Sequence, residues 1–146
     1  MFNLETMTWS EIETEGSKPE PRVLMSFFKF QNTLCVYGGV TENDKILGDF
    51  HMLEGDKWTY FEPSTQGSNL NQFELERRLH STTILEEGNK ILVYGGKDND
   101  NDVLNSMLMM EVKDLSLILS WYMVDCTFLH WEIGPNQIND VLKLLK

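Results

Sequence analysis

The chain has 146 residues, 41% hydrophobic and 24% charged, and 23 acidic against 12 basic side chains give a net charge of −11. That composition suits one soluble folded domain with a sizeable core and excludes wholesale disorder, while no apolar run approaches the roughly 18 residues that span a bilayer. The acidic balance repels phosphate, which argues against nucleic acid or a membrane surface as the main partner; it attracts a basic protein surface, or serves solubility alone.

The N-terminal stretch from Met1 to Glu13 is mixed and acidic, without the basic start and apolar run of a signal peptide. The two cysteines, Cys35 and Cys126, lie far apart among apolar neighbours, poor material for a disulfide framework, so a reducing, cytoplasmic setting is expected.

In chain order, the first landmark is Trp9. A unit then runs from Pro21-Arg22 through Thr33-Leu34-Cys35-Val36-Tyr37-Gly38-Gly39 and Leu47-Gly48-Asp49-Phe50 to Trp58. A second runs from Arg77-Arg78-Leu79-His80-Ser81 through Lys90-Ile91-Leu92-Val93-Tyr94-Gly95-Gly96 and Leu104-Asn105 to Trp121. Arg22 stands before Gly38 at nearly the distance that Arg78 stands before Gly95. Length differences collect between units, as a repeat architecture requires.

Each unit predicts four short strands. Residues 23–30 and 81–85 form the first, and 34–37 and 91–94, continuous apolar and β-branched runs, form second strands buried on both faces. The glycine pair ends that strand where positive φ is wanted. Residues 49–53 and 106–112 form the third strands, and 57–61 and 120–124 the fourth, each with a tryptophan. Trp9, Trp58 and Trp121 recur with the repeat and are expected in the core. Trp131 is out of phase.

Arginine, a small or polar serine, an apolar strand ending in Gly-Gly, an Asp or Asn before the third strand and a spaced tryptophan together resemble the kelch repeat, over roughly residues 7–124. The resemblance implies an all-β fold: two kelch-type four-stranded antiparallel blades, part of a β-propeller. The expected organisation is a closing strand of a preceding blade in 1–20, one repeat in 21–62, a second in 76–124 and a divergent tail in 125–146. The sequence departs from the pattern at Ser106, which stands where the first unit has Asp49, and around 23–25, which lack a match to His80.

Closed propellers use about 4–8 blades. Two blades leave two open faces, which leaves three outcomes: a fragment or short isoform of a longer propeller, self-association, or an open pair. In the tail, Ile138, Val141, Leu142 and Leu145 fall on one side of a short α-helix with Asn136 as N-cap. That helix covers an open face or, alternatively, docks in a partner's groove.

The candidate chemistry is sparse. The run Asp98-Asn99-Asp100-Asn101-Asp102 begins like a calcium loop, but Val103 and Met109 stand where an EF-hand needs Gly and Glu. His51, His80 and His130 have no compact zinc spacing with either cysteine, and no nucleophile elbow or phosphate-binding glycine loop occurs. The expectation is no catalytic residue, no metal and no cofactor. The alternative is part of a kelch-propeller enzyme with a metal site.

The resemblance instead implies protein–protein binding through blade loops, in an adaptor or scaffold role. The candidate contact loops are 40–46, 97–103 and 63–75. The residues singled out are Thr41, Glu42, Asn43, Asp44, Lys97, Asp98, Asn99, Asp100 and Asp102, with Arg22 and Arg78 either pairing blade to blade or reaching a ligand.

Overall fold

The computed structural model describes residues 1–61, 75–85, 89–113 and 118–124, the last stretch by its backbone path alone. The described residues are all-β. They form the strands β1 (Phe2–Asn3), β2 (Thr8–Trp9), β3 (Glu15–Gly16), β4 (Ser26–Phe30), β5 (Thr33–Val40), β6 (Ile46–Glu54), β7 (Lys57–Phe61), β8 (Ser81–Ile84), β9 (Lys90–Tyr94), β10 (Met107–Lys113) and β11 (Ile118–Val124). The expected C-terminal helix lies outside the described residues, as do Trp131, Cys126 and most of the 63–75 connection.

Two antiparallel meanders make up the body. The first sheet runs β4-β5-β6-β7, with β3 added in parallel along the free edge of β7; the second runs β8-β9-β10-β11. Neither closes on itself. Because side chains alternate across a strand, register sorts each sheet into two faces. In the first, Phe28, Cys35 and Met52 form one row and Tyr37, Phe50 and Phe61 the next. These pack with Phe30 and Leu75 against Ile91, Val93, Leu108, Met110 and Val112 of the second sheet in one apolar cluster. A dry core shared between two sheets makes each the other's solvent shield.

The second sheet repeats the first. From the glycine pairs onward, position 38 corresponds to 95: Gly38 and Gly39 have φ of 63° and 99°, Gly95 and Gly96 of 68° and 98°. Before the first strands, position 24 corresponds to 79. Leu24 and Leu79 share φ of 57°, a left-handed conformation uncommon for leucine. The bridge Val23–Val40 recurs as Arg78–Lys97. A longer turn between the first and second strands of the second unit accounts for the change of alignment.

The glycines are needed for approach as well as φ. A Cβ on Gly38 would stand 2.7 Å from the Arg77 carbonyl oxygen and 2.9 Å from the His80 ring. The segment leading into the second sheet therefore lies directly on the end of the first. Gly39 N–H donates to Arg77 O (2.9 Å), Arg77 N–H to Leu47 O (3.2 Å) and Leu79 N–H to Leu24 O (3.0 Å). Tyr37 Oη donates to Leu75 O at 2.6 Å, and the Ser26 and Thr82 hydroxyls meet at 2.6 Å.

Four expectations change. β5 does not stop at the glycine pair but continues to Val40 through a register shift, whereas β9 ends at Tyr94. The second strands are not alike in burial: Cys35, Val36 and Tyr37 are all buried, but in β9 only Ile91 and Val93 are, and Tyr94 is 48% exposed. Trp9 is not a core residue. β2 pairs with β1 in a separate hairpin, where Trp9 stacks on Phe2 and is 80% exposed. So short a strand has no sheet to bury it, and recurrence with the repeat does not by itself bury its tryptophan. Trp58 is half-buried on the outer face of the first sheet.

One core serving both sheets predicts one unfolding event. Phe50→Ala is expected to lower stability by about 3–5 kcal/mol, with intrinsic fluorescence and circular dichroism following a single urea transition; two separated transitions would show that the sheets fold apart.

Candidate partner-binding rim

The loops after the glycine pairs are one turn built twice. In the first, Thr41 N–H donates to Lys45 O (3.0 Å) and Asp44 N–H to Thr41 O (3.1 Å); in the second, Asp98 N–H donates to Asp102 O and Asn101 N–H to Asp98 O, both at 3.2 Å. Asp44 (φ 58°) and Asn101 (φ 66°) take the left-handed position, which short polar side chains tolerate. Thr41 Oγ1 accepts Lys45 N–H at 3.3 Å; Asp98 Oδ1 accepts from both Asp100 and Asp102 at 3.0 and 2.9 Å. The calcium-like run is thus a turn tied by its own backbone, and among the described residues no three His, Cys, Asp or Glu side chains are grouped to hold a metal.

Of the residues singled out, Glu42, Asn43, Asp44, Asn99, Asp100 and Asp102 are exposed on these turns, and Thr41, Lys97 and Asp98 form their half-buried footings. Asn101, not anticipated, gathers two neighbours: its side-chain oxygen accepts from Arg78 Nη2 and Lys97 Nζ, both at 3.2 Å. Asn99 donates to Glu76.

Beneath each turn lies an arginine. Arg22, left open between structural pairing and ligand contact, is buried, its side chain 3% exposed; Nη1 and Nη2 grip Asp49 at 2.5 and 2.9 Å, and Nη1 also donates to Gly38 O. Its counterpart is Arg77, not Arg78. Arg77 is fully buried and donates to Gly95 O (3.0 Å) and Ser106 Oγ (3.3 Å). Both units read Arg-x-Leu-x-Ser, at 22–26 and 77–81, a signal that the doubled arginine at 77–78 obscures when spacing to the glycines is the guide.

His51 completes the first clamp. Its Nε2 lies 2.8 Å from Asp49 Oδ2 and its Nδ1 2.9 Å from Ser17 O, which ties the chain before Arg22 to β6. Burial by itself would raise the Asp49 pKa, but hydrogen bonds from His51 and Arg22 and the Arg22 charge outweigh it and hold the carboxyl below its usual range. In the second clamp His80 lies edge-on to Tyr37, ring centres 5.0 Å apart, and neither ring nitrogen meets a partner at hydrogen-bonding geometry. Burial first, then the Arg77 charge, push its pKa down to about 4, against a weaker opposing pull from the Arg77 backbone. Burial pushes the Cys35 thiol up to about 11, so it carries little thiolate.

Three outcomes follow. Asp49→Asn leaves buried Arg22 facing a neutral amide and is expected to cost about 3 kcal/mol in urea unfolding. Between pH 6.5 and about 4 the unfolded chain binds a proton at His80 that the folded chain refuses, so stability is full above pH 6.5 and declines as pH falls to about 4. Asp49 adds a further loss below the ordinary carboxylate pKa of 3.8, because there the unfolded chain takes up the proton first. His80→Met, which copies Met25 of the first unit, is expected to flatten the upper window by up to about 3 kcal/mol; an unchanged stability profile between pH 4 and 6.5 would contradict it.

No protein-family model matches the chain. It is similar to the dynein regulatory complex subunit 7 of Chlamydomonas reinhardtii, 37% identical over 69 residues, or 46% of this chain. It is also similar to the host cell factor of Drosophila melanogaster, 35% identical over 94 residues (60% of this chain), and to the human host cell factor 1, 23% identical over 129 residues (83%). The matched stretch is 6% of the length of each of these proteins, so the chain spans a small part of the curated relatives it matches.

Proposed function

We propose that the two sheets are kelch-type blades and that the chain works as a protein–protein interaction module, in an adaptor or scaffold role, without a catalytic step of its own. The observation that carries this reading is the doubled rim: two equivalent turns, each tied by backbone hydrogen bonds and seated over a buried arginine, hold Glu42, Asp44, Asp100 and Asp102 outward at one end of the paired sheets. Rigid strands under charged turns make a recognition surface whose order is set before binding, which lowers the entropy lost on association. With a chain charge of −11, the partner surface it suits is basic. The similarity to two host cell factors supports the assignment to kelch-type proteins, and the spacing of arginine, glycine pair and tryptophan supports it independently.

The test compares opposite ends of the same sheets. Glu42→Lys with Asp100→Lys alters the rim, while Glu54→Lys with Asp56→Lys makes an identical charge change at the β6–β7 turn on the far end. Cellular proteins cross-linked to each form are identified, and binding of the recovered partner is then titrated against all three. The rim variant is expected to bind about tenfold more weakly and with a shallower salt dependence, and the far-end variant to bind like the parent. Equal loss in both would rule out the rim as the binding surface.

A further inference from the structure

The joint between the two sheets is asymmetric, and each outer end of the pair carries the half that the other end lacks. The joint consists of three backbone hydrogen bonds: Gly39 N–H to Arg77 O, Arg77 N–H to Leu47 O and Leu79 N–H to Leu24 O. By the correspondence of the two units, the counterparts of the receiving groups are Gly96 N–H, Leu104 O and Leu79 O, and those of the inserting groups are Arg22 O, Arg22 N–H and Leu24 N–H. Among the described residues none of these six groups makes a hydrogen bond. A Cβ on Gly38 is crowded by the Arg77 carbonyl, whereas among the described residues one on Gly95 would meet nothing closer than the Leu104 carbonyl oxygen at 3.4 Å. Among the described residues nothing fills at the second sheet the place that the lead-in segment fills at the first.

The outer faces match in the same sense. The outer face of the second sheet bears Tyr94, Leu92, Met107 and Met109, the counterparts of Tyr37, Cys35, Phe50 and Met52, which form the receiving side of the core. The outer face of the first sheet bears Phe27, Leu34 and Tyr60, which are 58%, 38% and 45% exposed, around Val36 and His51, which the chain itself already buries. Phe27 and Leu34 are the counterparts of Thr82 and Ile91 on the inserting side. One position differs: Asn105 stands where the first sheet has Gly48, so an incoming segment must ride further out there than residues 75–76 do.

We propose that a second copy of this chain docks head to tail, its residues 20–27 and the outer face of its first sheet seated on the Gly95-Gly96 end and outer face of the second sheet, repeating the joint inside each chain. This rests on reading the sheets as blades. Repetition of one joint generates a ring of about two to four copies if it closes at 4–8 blades.

Because such a contact uses different surfaces on the two copies, it has a signature that a two-fold contact lacks. Phe27→Glu damages only the inserting face and Tyr94→Glu only the receiving face; both side chains are exposed, and the thermal melt of each variant is checked against the parent. Sedimentation equilibrium of the full chain is expected to show reversible association, weakened about tenfold or more by either substitution, since each places a charge in an apolar contact. An equimolar mixture of the two variants is expected to form a one-to-one pair of near-parental affinity, through the intact receiving face of Phe27→Glu and the intact inserting face of Tyr94→Glu. A monomeric parent at every concentration would overturn the proposal, as would association indifferent to both substitutions or a mixture no tighter than its parts. Rim binding is measured separately, so a monomer that still binds its partner through residues 41–45 and 98–102 would overturn self-docking alone.

Discussion

The architecture depends on how closely two backbones can approach at Gly38-Gly39. A side chain at Gly38 would collide with the Arg77 carbonyl and the His80 ring, and without that approach the three backbone hydrogen bonds joining the sheets could not form. Their geometry sets the angle at which the second sheet leaves the first, and with it the match of Phe28, Tyr37, Phe50 and Met52 to Ile91, Val93, Leu108 and Met110. Apolar burial supplies most of the free energy, but it is non-directional. The glycine contact makes the packing specific.

The buried arginines convert that packing into a rigid rim. Arg22 and Arg77 each satisfy the carbonyl of a glycine, Gly38 and Gly95, at the root of a loop. They answer the cost of a buried cation differently. Arg22 meets a carboxylate that His51 also grips, while Arg77 meets the Ser106 hydroxyl and sits beside a histidine held neutral. A protein that builds one turn on two electrostatic footings responds unequally at its two sheets when pH falls, although the loops above keep the same shape.

Much of this was legible in the residues. The glycine pairs and the apolar runs before them located β5 and β9, and the polar turns located β6, β7 and β10. The correct arginine was also legible in Arg-x-Leu-x-Ser, but counting back from the glycines hides it, since the two units differ in length in between. Trp9 misled because recurrence along the chain reports which positions correspond and not whether anything covers them. The same limit explains β9: Leu92 and Tyr94 are as apolar as Cys35 and Tyr37, yet they lie on the side turned away from the first sheet.

The sequence by itself determined the repeat, the runs that form the strands of each unit and the left-handed turns at the glycine pairs, because these follow from local chemistry: β-branched and aromatic runs, glycine and the short polar residues of turns. Only the tertiary structure decided that Arg22 is buried rather than presented, that His80 is held neutral, and that Asp98 caps its own turn. The first two outcomes depend on groups distant along the chain or on the opposite sheet, and the third on the path its loop takes. Burial, which sets the strength of every charge interaction here, is a property of the assembled sheets and not of any segment.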